Sequence, residues 1–106
     1  MNAMKTIVYL ITHISTGRQY IGKRQWTEKK FLQSTYYGSG KYIRRALKKY
    51  RLSAFNRKVL WTGDRAKVDE VEKRFILKYN TLTPNGFNIG KGGEGNNGGQ
   101  NKGRKW

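Results

Sequence analysis

Apolar residues along this chain recur at two spacings, one typical of strands and one typical of helices. Thr6–Thr12 (TIVYLIT) is β-branched and aromatic with apolar groups on both faces, which predicts a strand covered on both sides. A turn signal at residues 15–17 separates it from a second predicted strand, Arg18–Lys23, and the pair is predicted to form a hairpin. Tyr9 and Tyr20 then come opposite or nearly opposite each other, as ordinary cross-strand aromatic pairs do.

Helical spacing dominates the middle of the chain. A short helix is predicted at Glu28–Leu32 and a longer one at Lys41–Arg51, with Ser39 of a Gly-Ser-Gly breaker as a candidate N-cap. The longer helix carries an apolar face formed by Ile43, Leu47 and Tyr50. One face of this helix is therefore predicted to pack on the domain, and the rest to meet solvent or a partner.

The remaining surface of the second helix is basic. Its cations are Lys41, Arg44, Arg45, Lys48 and Lys49. Between Lys41 and Lys58 the chain has eight basic residues and no acidic one, which is more positive charge than solubility requires. We therefore favour contact with nucleic-acid phosphates over a merely solvated face.

The second half of the chain is predicted to contain a strand, a turn and a helix. Ala54–Trp61 is predicted as a third strand that ends at a turn over residues 62–64 (Thr-Gly-Asp), and Ala66–Tyr79 as a helix. A tight turn is predicted at residues 85–86 (Asn-Gly). Residues 90–106 contain seven glycines and several cations, so we predict a flexible basic tail there.

Glu72 interrupts the apolar stripe of the last predicted helix. At about 100° per residue it falls between Val68 and Ile76, on the face that should be buried. An unpaired ionised carboxylate costs several kcal/mol when it leaves water, so such a residue needs a cation as partner. That partner is either a lysine or arginine, in an internal salt bridge, or a metal ion. The helix alone leaves both open.

Composition narrows the class of partner. The chain has 106 residues, enough for one compact domain, and 23 basic against 6 acidic residues give a formal charge of +17. A small protein this basic is expected to bind a polyanion, with nucleic acid first and an anionic membrane surface well behind. No apolar run approaches the ~18 residues of a membrane span, and Met1–Lys5 lacks the order of a secretory signal. We expect a cytoplasmic protein without membrane association.

The metal-ligating residues are few. With no cysteine and a single histidine, His13, a structural zinc site is excluded and any bound cation must be a hard one held by oxygens, which means Mg²⁺ or Mn²⁺. His13 follows a predicted strand and precedes a turn, so we predict an exposed residue without a catalytic role. We also expect no small-molecule cofactor.

Several short motifs combine into a known pattern. They are Ile7-Val8-Tyr9, Tyr20-Ile21-Gly22, residues 37–41 (YGSGK) opening the basic helix, Glu72, and residues 85–88 (NGFN). In this combination, over about residues 6–95, the chain resembles the GIY-YIG nucleases, with Ile7 where the family usually has Gly. The YGSGK helix and the strand after it resemble the phage-type branch of free-standing and homing endonucleases.

The resemblance implies a fold and a set of site residues. The fold is α+β, a small, mainly antiparallel three-stranded sheet flanked by helices. Glu72 becomes the ligand of a single divalent cation. Tyr9 and Tyr20 flank the scissile phosphate and position or deprotonate the attacking water. Asn88 becomes the polar residue that orients the glutamate or the phosphate.

The chain departs from the family at one catalytic position. The family has an arginine on the helix that follows the second signature, but Lys30 stands ten residues beyond Tyr20 here, and Arg24 stands four residues beyond it. Lysine is a point charge that cannot bind phosphate bidentately. Arg24 and Lys30 are therefore both candidates for the phosphate clamp.

We accordingly predict a nuclease domain in residues 1–89 that hydrolyses DNA, most simply double-stranded DNA, with Mg²⁺ or Mn²⁺. The competing hypothesis is a non-catalytic basic nucleic-acid-binding module derived from a nuclease, and a third is action on RNA. Homing relatives carry a separate DNA-reading module, so a targeting partner protein is a further possibility. If the chain is phage-encoded, the compartment is the host cytoplasm.

Overall fold

The computed structural model describes residues 5–90 and 92, and this part of the chain contains three strands and three α-helices. In chain order they are β1 (Lys5–His13), β2 (Gln19–Arg24), α1 (Glu28–Gln33), α2 (Lys41–Tyr50), β3 (Phe55–Asp64) and α3 (Arg65–Tyr79), with a 3₁₀ turn at Leu52–Ala54 before β3. The α+β prediction is confirmed. The predicted tail lies outside the described residues, except for Gly90 and Gly92.

The sheet has the order β2-β1-β3 and is antiparallel throughout. The predicted hairpin is confirmed, but its two tyrosines do not pair directly. Tyr9 faces Gly22, and Tyr20 faces Ile11, so the phenols are diagonal neighbours on the same face. Their ring centroids are 6.3 Å apart. Since β2 pairs only with β1, its other edge is left to be covered by loops.

Helices cover both faces of the sheet. On one face Ile7, Tyr9 and Ile11 pack with residues from α1 and α2, including Phe31 and Ile43. On the other face α3 supplies the apolar cover. In that second cluster Val68 and Ile76 of α3 pack with Val8, Leu10 and Ile21 of the sheet. The alternation along β1 explains why this strand is apolar at nearly every position.

Two predictions about the ends of elements are wrong. Residues 62–64 do not form a turn: they continue β3, because β1 starts early enough to pair Ile7 with Thr62 and Lys5 with Asp64. Ser39 does not cap α2. Gly40 holds the N-cap position without a side-chain hydrogen bond, and the Ser39 hydroxyl bonds to Tyr36 instead.

His13 is buried, which contradicts the prediction of an exposed residue. Its Nδ1 lies 2.6 Å from the Thr16 hydroxyl oxygen, and its ring packs against Tyr50 and Phe55 with centroid distances of 4.3 and 4.9 Å. The end of β1 lies under the C-terminal turn of α2, so this histidine fills a core position.

No helix within residues 5–90 and 92 combines the length and apolarity needed to cross a bilayer.

Candidate active site

A cleft of about 270 Å³ lies along the outer edge of β2, the edge that does not pair with β1. Its wall is built from elements on both faces of the sheet: Tyr20 and Lys23 of β2, Ser39 and Gly40 before α2, Glu72 of α3, and Asn88 of the following loop. An edge strand is the one place where side chains from opposite faces of a sheet can reach the same cavity. The edge position therefore brings together residues that the sheet would otherwise separate.

Glu72 occupies the position that the helical pattern predicted, on the buried face of α3 between Val68 and Ile76. Its side chain is 12% exposed, and it lines the cleft. The carboxylate Oε1 lies 3.3 Å from Nζ of Lys23. The salt bridge considered from the sequence is thus present, but the pair forms the wall of an open cavity rather than a sealed contact.

Lys23 has a second acidic partner, Asp69, to which Nζ donates a short hydrogen bond. Desolvation lowers the pKa of Lys23, but the bond to Asp69 and the charges of Glu72 and Asp69 outweigh it, and the pKa rises above its ordinary 10.5. Lys23 is therefore charged at physiological pH. Because Asp69 also holds the ammonium, Lys23 would keep an acidic partner if Glu72 bound a metal ion instead.

The acidic residues of the described region suit one kind of metal site. Within residues 5–90 and 92 no group of three or more His, Cys, Asp or Glu side chains could hold an ion. Magnesium needs no such cage, because it keeps several waters and is held by one or two carboxylates together with substrate phosphates. A single carboxylate facing an open cleft fits that mode, so Glu72 fits the ligand position that the sequence proposed.

A network of phenols lies behind the cleft. Tyr9 is only 1% exposed, stacks on Phe31 at 4.8 Å, and hydrogen-bonds to Tyr20 and Tyr36. Burial raises the pKa of Tyr9 well above its usual range, and neighbouring Tyr20, Tyr36 and Glu72 raise it further. Burial likewise raises the pKa of Tyr20 to about 12, with Tyr36 and Glu72 adding to the shift. Both phenols are protonated at neutral pH.

Tyr36 is the one member of this network whose pKa moves the other way. Partial burial raises the pKa of Tyr36, but hydrogen bonds with Ser39, Tyr9 and Arg24 together with the Arg24 charge lower it below 10.0. The guanidinium of Arg24 lies 4.3 Å from the Tyr36 ring centroid and 4.5 Å from that of Trp26. Arg24 thus contacts the phenol network directly.

The two candidates for the phosphate clamp are placed differently. Lys30 is exposed on α1, where its backbone N–H donates to the Thr27 side chain that caps the helix. Arg24 follows the last cleft residue of β2, Lys23, and is joined through Tyr36 to Tyr9. The structure therefore connects Arg24 to the predicted tyrosines and leaves Lys30 on the outer surface.

Asn88 is buried beside the cleft and binds backbone. Its amide nitrogen donates to Ile21 O and its amide oxygen accepts from Ile21 N, both at 2.8 Å. Phe87 N donates to Gln19 O at 2.8 Å, so one main-chain bond and the two Asn88 side-chain bonds attach the loop to the outer edge of β2. The predicted role of Asn88 in orienting the glutamate or the phosphate stays a prediction, while the observed contacts make it a positioning residue for the strand that carries Tyr20.

The basic residues predicted for nucleic-acid contact are all exposed on α2, and within the described region none of them pairs with an acid. They are Lys41, Arg44, Arg45, Lys48 and Lys49. Two residues of the site itself were not predicted, Lys23 and Tyr36. The signals for them were present: Lys23 directly follows the Tyr20-Ile21-Gly22 motif, and Tyr36 directly precedes YGSGK.

Comparison with known proteins supports the fold and the family. The chain matches the family described as "Putative endonuclease segE, GIY-YIG domain" over residues 1–89. Among solved structures it is similar to the catalytic domain of homing endonuclease I-TevI, at 22% identity and a TM-score of 0.61 over 80% of this chain and 98% of that one. A mutant form of the same I-TevI domain gives a TM-score of 0.65 at 21% identity, over 83% of this chain and 96% of that one.

Relatives in Enterobacteria phage T4 carry the same region within longer chains. The protein named "Putative endonuclease segB" is 34% identical over 88 residues, which is 82% of this chain and 38% of that protein. "Putative endonuclease segE" is 32% identical over 98 residues, 87% of this chain and 44% of that protein. The chain thus spans about two fifths of the length of these relatives. On the match of residues 1–89, it belongs to the GIY-YIG endonuclease family.

Proposed function

We propose that this chain is a divalent-metal-dependent endonuclease that hydrolyses phosphodiester bonds in DNA. The observation that carries the proposal is the position of Glu72, a carboxylate 12% exposed at the wall of an open cleft that also holds Tyr20 and Lys23. Membership of the GIY-YIG family adds to this, as does the formal charge of +17.

Glu72 would hold the ion, Mg²⁺ or Mn²⁺, which when bound supplies positive charge against the phosphate. Tyr20, with a pKa of about 12, keeps its proton in the protein alone and orients the attacking water by hydrogen bonding. Tyr9 and Tyr36 hold that phenol in place through the hydrogen-bond network. Lys23 supplies an ammonium in the same cleft, which would pair with a phosphate oxygen of the substrate.

The substrate is duplex DNA in this proposal, gripped through the exposed cations of α2. A sequence preference would come from a region or partner protein outside this domain, since the phage relatives are more than twice as long. Action would take place where that DNA lies, in the cytoplasm of the host cell for a phage-encoded chain.

One observation favours the second candidate, a binding module without catalysis. Lys23 lies 3.3 Å from Glu72 and could substitute permanently for an ion. In that case the carboxylate would be neutralised within the protein, and the domain would bind DNA without cutting it. One cleavage experiment separates the nuclease from the binding module.

Supercoiled plasmid is incubated with the wild type, Glu72→Gln and Glu70→Gln, each with Mg²⁺, with Mn²⁺ and with EDTA. Glu70 is the matched control, because it is an exposed glutamate on α3 that pairs with Arg74 at 3.5 Å. We expect nicking or linearisation by the wild type with a divalent ion only. Glu72→Gln should reduce the rate by about 10²-fold or more, whereas Glu70→Gln should not. No cleavage by the wild type under any condition would favour the binding module, and unchanged cleavage by Glu72→Gln would exclude Glu72 as the ligand.

A further inference from the structure

A second pocket of about 270 Å³ lies between α2 and the loop that follows α3. Three cations line it, Arg18, Arg45 and Lys49, and no acidic residue does. Phe87 lines both this pocket and the Glu72 cleft, so the two cavities are neighbours on one surface. We call this the Arg18 pocket.

Arg18 is fixed in the pocket by backbone and aromatic contacts. Its guanidinium carbon lies 4.5 Å from the Phe87 ring centroid, and Nη2 donates to Gly86 O at 3.2 Å. The Nε atom is buried and has no hydrogen-bond partner among the described residues. A buried N–H without a partner is unusual. The contacts with Gly86 and Phe87 hold the guanidinium in one orientation beside the pocket, and a guanidinium is suited to binding phosphate oxygens.

Gly86 shows how closely the loop approaches β2 beneath this arginine. A Cβ at Gly86 would overlap the carbonyl oxygens of Thr81 and Gln19. The backbone of the loop therefore lies directly against the start of β2, and Arg18 is anchored on a well-packed base. Fixed donors lose less entropy on binding than free surface side chains do.

Helix α2 contributes the other two cations from one stripe. Arg45 and Lys49 are four residues apart, and each lies over a tyrosine of the pocket, Arg45 at 5.9 Å from the Tyr42 ring centroid and Lys49 at 5.1 Å from that of Tyr50. Residues at this spacing share a helix face. The remaining cations of the helix, Lys41, Arg44 and Lys48, do not line the pocket.

We propose that the Arg18 pocket binds a backbone phosphate of the substrate strand at a position away from the cleaved bond, through Arg18, Arg45 and Lys49. This rests on the proposed function, and it narrows the interface on α2 to one stripe. Because Phe87 lines both cavities, a strand bound in the Glu72 cleft would need to extend only past this residue to place a second phosphate in the pocket.

The test compares two charge-matched double variants, Arg45→Ala/Lys49→Ala and Arg44→Ala/Lys48→Ala. Both remove two cations from the same helix and introduce two alanines. Binding of a fluorescent duplex is measured by anisotropy in EDTA over a range of salt concentrations. We expect Arg45→Ala/Lys49→Ala to lower affinity about tenfold or more at low salt and to reduce the slope of log affinity against log salt by roughly 1–2. Arg44→Ala/Lys48→Ala should change the slope by less than half as much.

Equal effects of the two double variants, or a larger effect of Arg44→Ala/Lys48→Ala, would overturn the proposal. A second arm titrates inorganic phosphate by calorimetry. Tight phosphate binding that Arg45→Ala/Lys49→Ala abolishes without weakening DNA binding would assign the pocket to a free phosphate ligand and equally overturn it. Thermal unfolding of each variant controls for damage to the helix.

The outcomes also separate this proposal from the enzymatic one. Binding in EDTA needs no cleavage, so a wild type that binds DNA with equal losses in both variants would contradict the pocket and leave the nuclease proposal standing. A wild type that binds duplex through the pocket but does not cut it with any divalent ion would contradict the nuclease proposal and support the pocket. Failure of the wild type to bind DNA at all would contradict both.

Discussion

The phenol ring of Tyr9 lies directly over Gly22 of the neighbouring strand. A Cβ at Gly22 would overlap the Tyr9 ring and its hydroxyl oxygen, so the third residue of the Tyr20-Ile21-Gly22 motif is glycine because of the first tyrosine. The two signature motifs are thus one packing unit, in which the absence of a side chain on β2 makes room for a buried phenol on β1.

Gly22→Ala should therefore displace Tyr9 and disturb the phenol network. We expect a loss of about 1–3 kcal/mol in the free energy of unfolding, measured by urea denaturation, and a loss of cleavage with it. A double-mutant cycle with Tyr9→Leu gives the control: if the overlap is the cause, the double variant should be more stable than the sum of the two single effects predicts. Strict additivity of the two single effects would exclude the overlap as the cause.

Asn88 should be required for stability more than its small size suggests. Asn88→Ala leaves the Ile21 N–H and C=O without their partner at the edge of β2, and we expect a loss of about 2–3 kcal/mol in the free energy of unfolding. The control is Asn85→Ala, in the exposed turn of the same loop, which should stay within about 0.5 kcal/mol of the wild type. Equal losses of stability in Asn88→Ala and Asn85→Ala would contradict a specific role of Asn88 at the edge of β2.

Lys23 should compete with the divalent ion for Glu72. Removing its charge with Lys23→Met should lower the Mg²⁺ concentration at half-saturation by about two- to fivefold, because pairs of this kind are worth up to ~1 kcal/mol. Asp69→Asn should have the opposite effect, since it leaves Lys23 with Glu72 as its acidic partner in the salt bridges described here.

The measurement is Mg²⁺ binding to the protein alone by calorimetry, so it does not depend on cleavage. Lys73→Met removes a charge from the exposed side of α3 and serves as the control. Shifts of the same sign in Lys23→Met and Asp69→Asn would show that Lys23 does not divide its charge between the two acids.

Arg24, rather than Lys30, should act as the clamp. Arg24→Lys keeps the charge but loses the planar contact with Trp26 and Tyr36, and we expect single-turnover cleavage to fall roughly tenfold, the equivalent of ~1.4 kcal/mol. Lys30→Ala should change the rate by less than about twofold, because both side chains are exposed but only Arg24 contacts the phenol network in the interactions given for the described residues. A larger loss of rate in Lys30→Ala than in Arg24→Lys would instead identify Lys30 as the clamp.

The raised pKa of Tyr20 should appear in alkaline stability. The unfolded chain releases this proton near pH 10.0 and the folded protein near pH 12, so the fold favours the protonated phenol. The stabilisation is complete below pH 10 and is lost as the pH rises towards 12. Urea unfolding across this range should show a smaller decline for Tyr20→Phe than for the wild type. Tyr79→Phe, in the α3 packing cluster, should decline as the wild type does.

Sequence reasoning located the elements that carry strong periodicity and the residues whose chemistry conflicts with their surroundings. Glu72 is the clearest case, since a carboxylate in an apolar stripe is visible without a structure. Tyr9 and Tyr20 were placed on paired strands, but their register depends on the hairpin turn, which alternation alone does not determine. Lys23 and Tyr36 were not predicted because their residue types are common in this chain, one of 23 cations and one of seven tyrosines, and only their positions beside the two motifs marked them.

Long-range contacts were the main source of error. The extension of β3 over residues 62–64 depends on how early β1 begins, and the burial of His13 depends on where α2 ends. Neither can be inferred from the neighbouring residues. Arg18 was read as the first residue of a strand, and its anchoring on Phe87 required knowledge of a loop almost seventy residues away.

The attachment of the 87–88 loop to β2 has a consequence for the behaviour of the molecule in solution. An open strand edge is a template on which a second chain can add its own strand, and this is a common route to aggregation. Here the outward amide and carbonyl of Ile21 and the carbonyl of Gln19 are already occupied from within the same chain. The strand that would face DNA in the proposed function is thereby protected from self-association at the residues nearest its tyrosine.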